Sequence, residues 1–202
     1  MSDPGLVMIT PTLTADMLFR AYSSGCFPWS GRPARWYCPD PRAVFEFESI
    51  HFSRRFLRTI KKEPYRITFD RAFRRVITRC SELHTNTWID SDIIEQYVEF
   101  HKKGFAHSVE AWHEGELVGG LYGVQLRRMF AGESMFHTKR DASKVAFYHL
   151  VQHLRRLNVS LFDAQVLNPH TESLGAVEIS RGMFLQRLKA ALKGPGEWAV
   201  EW

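Results

Sequence analysis

Apolar residues recur along the chain at two spacings, and the switches between them mark its elements. Met17, Leu18, Ala21 and Tyr22 fall at helical spacing behind Thr14, an N-cap residue type, and Gly25 suits the C-terminal stop. In the stretch CFPWSGRPARWYCPDPR that follows, Pro28, Pro33, Pro39 and Pro41 argue against regular structure. Phe27, Trp29, Trp36 and Tyr37 are too costly to leave in solvent, so this loop should fold onto a core or line a site. Ser53 is placed to cap a short helix, SRRFLRTIKK, with Phe56, Leu57 and Ile60 inward. Arg54, Arg58, Lys61 and Lys62 then share its outer face. Pro64 closes the helix. It marks the expected boundary between a small N-terminal domain over 1–63 and a second domain over 64–202.

Beyond that boundary the pattern alternates. YRITF reads as a strand, and Asp70 as the cap of a helix running to about Cys80. Asp90 or Ser91 should cap a helix through Ile93, Ile94, Tyr97, Val98 and Phe100 to a stop at Gly104. HSVEAWHEGELVGGLYGV alternates on both sides of Glu114-Gly115 and is the clearest hairpin signal; MFAGESMF supplies a third strand. Asp141 should cap a helix whose Phe147, Leu150, Val151 and Leu154 form an apolar stripe ending at Asn158. VSLFDAQVL reads as a buried strand, LGAVEI as a turn and strand, and SRGMFLQRLKAALK as a last helix. A central hairpin followed by strand, helix and strand is the order of the acyl-CoA N-acetyltransferase (GNAT) fold. The expected class is α+β: a small N-terminal domain beside a GNAT-like mixed-sheet domain.

Composition narrows the function classes. The chain has 202 residues with 45% hydrophobic and 24% charged, ordinary for a globular protein rather than a disordered one. Its net charge of +5 is unevenly spread: between His51 and Arg79 stand ten basic residues and two acids. That block suggests a phosphate-bearing partner, although a solvated basic face would look the same. No apolar run is long enough to span a membrane and the N-terminus lacks a signal-peptide pattern, so a cytoplasmic protein is expected. Cys26, Cys38 and Cys80 form no CxxC pair and read as reduced thiols. His51 and His84 lack ligand spacing, so no metal is expected.

Three polar clusters are candidates for chemistry. A GNAT enzyme should open its central helix with a Gly-rich turn for the CoA pyrophosphate, and SMFHTKRDASKVA offers no glycine there, so the acyl donor should differ from CoA. Glu133 sits inside the apolar strand FAGESMF, where a carboxylate is expensive unless it is paired or lines a cavity. Asp163 and Gln165 share one face of a strand by the period of two. Together they could take a proton from an amine and hold a polarised carbonyl. Asn168, His170 and Ser173 follow in a Pro-containing turn that needs no catalytic explanation.

The strings CFPWS…WYCPDPRAVF, TWID, GFAHSVEAWHEGELVGGLYGV, FAGESMF, ASKVA and LFDAQVLNPHTESLGAVEISR, in order from about Gly5 to Leu188, resemble the leucyl/phenylalanyl-tRNA–protein transferase family. The resemblance implies a cytoplasmic aminoacyltransferase without cofactor or metal. It would move Leu, or less readily Phe or Met, from charged tRNA to the α-amino group of proteins beginning with Arg or Lys, marking them for N-degron degradation. By the same resemblance, Arg54, Arg58, Lys61 and Lys62 meet tRNA phosphates and Trp29 packs on the terminal adenosine. Leu121, Phe130 and Met135 line the donor side-chain pocket, Asp163 accepts the amine's proton, Gln165 orients the amine or oxyanion, and Glu133 faces the cationic acceptor. Departures are Thr10-Pro11-Thr12 in place of the family's GG-D, a short FPW-to-PDPR loop, and Ala164 where the family often has Cys. Two alternatives remain: a related leucyl transferase acting on N-terminal Asp or Glu, and a non-catalytic RNA-binding module.

Overall fold

A computed structural model describes residues 5–62, 65–83 and 87–199. The first elements are β1 (Leu6–Thr10), α1 (Ala15–Ser23), β2 (Phe27–Gly31), β3 (Ala34–Tyr37), β4 (Arg42–Phe45) and α2 (Arg54–Lys62). Then come β5 (Arg66–Phe69), α3 (Phe73–Leu83), α4 (Ser91–Lys102), β6 (Ala106–His113), β7 (Glu116–Leu126) and β8 (Met129–His137). The chain continues through α5 (Ala142–Arg156), β9 (Leu161–Gln165), α6 (Pro169–Ser173), β10 (Ala176–Ile179) and α7 (Arg181–Ala191). β1, β3 and β2 form a small antiparallel sheet, while β10-β4-β9-β8-β7-β6-β5 form a mixed sheet in which β8 and β9 are the parallel pair. The class is α+β with a mixed sheet, as the pattern led us to expect.

The division between the sheets falls earlier than expected. The boundary at Pro64 lies outside the described residues, but β4, well before it, is an inner strand of the large sheet, and Phe56 of α2, with Phe52 just ahead of the helix, packs onto Tyr148 of α5. The aromatic, proline-rich stretch is not a loop: it forms β2, β3 and the start of β4. Proline is tolerated there because β2 is an edge strand and Pro33, Pro39 and Pro41 fall in the connections. Phe27, Trp36 and Tyr37 are buried beneath α1, whose cap is Thr14 as expected.

Period-two alternation gives the large sheet two cores. Tyr122 and Val124 of β7 join Val76 and Ile77 of α3 and Tyr97 of α4 on one face. Leu121 joins Phe147, Leu150, Val151 and Leu154 of α5 on the other. The hairpin turns at Glu114 and Gly115, both at positive φ. Two expected caps fail. Asp70 spends its carboxylate on the Ser108 amide and His107 Nδ1, each at 2.8 Å. Glu110 of β6 accepts the amides of Arg71 and Ala72 ahead of α3 instead. Asp141 is left-handed, at φ 59, and makes no side-chain capping bond. Leu57, expected inward, is exposed.

Close contact seats α5. A Cβ on Gly119 of β7 would lie 2.6 Å from the Ala142 Cβ, at the first turn of the helix. Gly119→Ala should therefore cost about 1–3 kcal/mol, read as a lower Tm in thermal unfolding. An unchanged Tm would show that the helix can give way.

Candidate active site

The site begins where two parallel strands part. β8 and β9 pair from Met129–Leu161 to Ala131–Asp163 and no further. At that point each carries one extra residue against its other neighbour. In β8 it is Glu133, between Gly132 and Ser134, which face Gly123 and Tyr122. In β9 it is Ala164, between Asp163 and Gln165, which face Val44 and Ala43. Such bulges re-aim side chains. Here they open a cavity of about 370 Å³ with Glu133 and Gln165 in its wall, within the usual range for small-ligand sites.

The two polar residues bridge the gap: Gln165 Nε2 donates to Glu133 Oε1 at 2.8 Å. The hydroxyl of Tyr22, from α1, donates to the same oxygen at 2.6 Å, and Tyr97, from α4, reaches Oε2 at 3.3 Å. Burial pushes the Glu133 carboxyl up to about 8, with Asp163 adding to the rise, although both tyrosine hydroxyls and Arg42 pull it down. Burial and the nearby Glu133 carboxylate raise Tyr22 and Tyr97 well above an ordinary tyrosine, so they remain donors. Glu133 therefore holds its proton to a higher pH than an ordinary glutamate.

Asp163 is placed elsewhere. It is 1% exposed, absent from the cavity wall, and clamped by Arg42, whose Nε and Nη2 donate to its two oxygens at 2.8 and 2.6 Å. Asp163 Oδ1 also accepts the Gln165 amide at 2.9 Å. Arg42 is itself buried, bonded through Nη1 to the Gly25 carbonyl and set against the Phe27 and Phe184 rings. The extra residue at Ala164, with Gln165 at φ 64, breaks the period of two that put Asp163 and Gln165 on one face. Asp163 thus bonds the Gln165 backbone amide and Arg42 and does not line the cavity.

The remaining expected residues separate in the same way. Trp29, Leu121 and Met135 line the cavity, Trp29 with its ring 4.5 Å from that of Tyr37. Phe130 does not. It is fully buried behind Phe162, a wall residue, and packs between that ring and Trp198. Trp88 also lines the wall and was not singled out, although it belongs to the quoted TWID string. The basic face of α2 shares a support with the cavity: Tyr148 of α5 carries α2, and Phe147 and Leu150 of the same helix form part of the wall. Arg54, Arg58, Lys61 and Lys62 are all exposed.

Among the described residues Asp70, His101 and His107 have the makings of a cation site. Their atoms are already engaged, however: His107 with Asp70, and His101 Nδ1 with the Ala106 carbonyl at 2.7 Å.

Comparison with known proteins decides the family. The family model described as leucyl/phenylalanyl-tRNA protein transferase matches residues 44–189, and that of its N-terminal domain matches 12–40. The chain belongs to the leucyl/phenylalanyl-tRNA protein transferase family. It is 49% identical to the transferase of that name from Gloeobacter violaceus, over 91% of this chain and 96% of the relative. It is 45% identical to the one from Shewanella denitrificans, over 100% and 88%, and 46% identical to the one from Pseudomonas fluorescens, over 96% and 89%. A solved structure of a functionally unknown conserved protein from Staphylococcus epidermidis is similar at a TM-score of 0.44 and 8% identity, over 69% of this chain and 57% of that one. The protein is thus a transferase.

Proposed function

We propose that this chain moves Leu, and less readily Phe or Met, from aminoacyl-tRNA to the α-amino group of proteins beginning with Arg or Lys, marking them for N-degron degradation in the cytoplasm. The observation that carries the reading is the Glu133–Gln165 bridge across the parted ends of β8 and β9, set in a largely apolar cavity. Hairpin, β8, α5 and β9 occur in the acetyltransferase order, which supports a GNAT-like sheet with an aminoacyl ester in place of the CoA thioester. Leu121 and Met135 supply an apolar pocket for the donor side chain. Such a pocket separates aliphatic side chains by only ~1–3 kcal/mol, in keeping with several accepted donors. Trp29 gives the terminal adenosine a face to stack on. No helix among the described residues is long and apolar enough to cross a membrane.

Glu133, at about 8, is matched to a protein α-amino group, whose ordinary value is roughly 7.7–8.0. In its ionised form it takes the proton that an incoming α-ammonium must lose. Gln165, with its nitrogen committed to Glu133, offers its amide oxygen as acceptor to the amine. The nitrogen then bonds to the ester carbonyl carbon and the carbon–oxygen bond to the ribose breaks. The amine's second proton ends on the ribose oxygen. The ester is already activated, so holding these atoms together does most of what is needed.

Radiolabelled Leu-tRNA offered with peptides starting with Arg, Lys, Asp or Glu tests the acceptor class. The Arg and Lys peptides should be labelled. Labelling of only the Asp and Glu peptides would favour the related transferase, and no labelling by folded protein would favour an RNA-binding module. On the donor side, Arg58→Glu should weaken tRNA binding at low salt and flatten its dependence on salt concentration. Unchanged binding would make the outer face of α2 a merely solvated one.

A further inference from the structure

Cys26 and Cys38 are twelve residues apart in sequence, but the small sheet brings them together. Phe27 of β2 faces Tyr37 of β3, so the next residues outward, Cys26 and Cys38, lie opposite one another. Their backbone amides bond away from each other, Cys26 N to the Ala21 carbonyl and Cys38 N to the Gly5 carbonyl. Facing residues of that kind in antiparallel strands have Cα atoms about 4.5 Å apart, inside the usual ~4.4–6.8 Å range for a disulfide. The two thiols act on one another across the pair, Cys26 pushed up and Cys38 brought down from an ordinary thiol.

We propose that Cys26 and Cys38 are an oxidative modification site, converted by hydrogen peroxide into an intramolecular disulfide across β2 and β3 while Cys80 stays reduced.

The surroundings favour this chemistry at these two positions. The Cys26 thiol and the nearby Arg42 and Arg181 guanidinium groups bring the Cys38 thiol down from its ordinary range, which favours its thiolate. Arg181 is held there by its own bond to the Cys38 carbonyl, at 3.2 Å. Cys26 is half-buried and Cys38 is 6% exposed. Cys80 is the internal contrast: fully buried in the core, its thiol is pushed up to about 12.

The steps balance. The Cys38 thiolate attacks one peroxide oxygen, the O–O bond breaks, and the departing hydroxide takes a proton from solvent to leave as water. The Cys26 sulfur then attacks the Cys38 sulfenic acid. The S–O bond breaks, and a second water leaves with the Cys26 proton. Two thiols lose two electrons, which the peroxide gains. The same reaction removes a negative charge from beside Arg42, the residue that holds Asp163.

The test is a thiol count on the full chain, unfolded after brief exposure to peroxide. One of the three thiols should remain, the intact mass should fall by two hydrogens, and proteolysis should yield Cys26 and Cys38 peptides joined. Dithiothreitol should restore all three thiols. In Cys26→Ser the partner is gone, so Cys38 should accumulate as a sulfenic acid that dimedone traps. Three thiols remaining in the wild type, oxygen added to Cys38 without a link, or bridges only between chains would each overturn the proposal.

Discussion

Arg42→Met is expected to destabilise the protein by about 3–5 kcal/mol, the usual cost of removing one partner from a buried ion pair. The substitution leaves the Asp163 carboxylate, 1% exposed, without the guanidinium that satisfies both its oxygens. It also releases the Gly25 carbonyl and the stacking on Phe27 and Phe184. Arg42→Met combined with Asp163→Asn should recover much of the loss, because the uncompensated charge is gone while an acceptor for the Gln165 amide is kept. Urea unfolding of both variants measures this. A single variant within about 1 kcal/mol of wild type would mean that the pair is not the anchor its geometry indicates.

Glu133→Gln should change two pH profiles in opposite senses. In the unfolded chain a glutamate ionises near its ordinary value of 4.5, whereas in the folded protein Glu133 keeps its proton to about 8. Unfolding therefore releases a proton between those limits, and wild-type stability should fall by a few kcal/mol as the pH rises through that window. The glutamine variant lacks this decline. Transfer should behave conversely: the wild-type rate climbs towards pH 8 as the carboxylate forms, and the variant is slow with a flatter profile. Equal slopes in the two proteins would remove Glu133 from the proton's path.

The sequence reveals the scaffold better than the site. The hairpin at Glu114-Gly115 and the apolar stripe of α5 are long periodic signals, and both appear where the pattern placed them. The β2–β3 stretch was hidden because its prolines exclude central strands but not an edge strand and connections. Asp70 and Asp141 have the residue type of a cap, but tertiary partners and a left-handed backbone took them out of that role.

At the site, Glu133 was legible as a carboxylate in an apolar strand, and Leu121 and Met135 through the resemblance. The bulges were not. One extra residue in each strand turns Glu133 and Gln165 into the cavity and Asp163 away from it, and a local period of two cannot show that. Tyr22, Tyr97 and Arg42 are hidden for another reason: two sit on apolar helix faces where a tyrosine reads as core, and the third is a single charge at the start of a short strand. Only the packing of α1, α4 and β4 around β8 and β9 brings them to Glu133 and Asp163.

The most direct test of the cavity as the place of transfer is the single-turnover rate from Leu-tRNA to an Arg-starting peptide in Gln165→Asn. Asparagine accepts the left-handed backbone found at this position and keeps an amide, but withdraws it by one methylene. The predicted result is a rate lower by roughly 10²-fold, with tRNA binding and Tm unchanged, since a misplacement of about 1 Å in a positioning site can cost that much. A rate within a few-fold of wild type would contradict the account and move the chemistry away from the Glu133–Gln165 bridge.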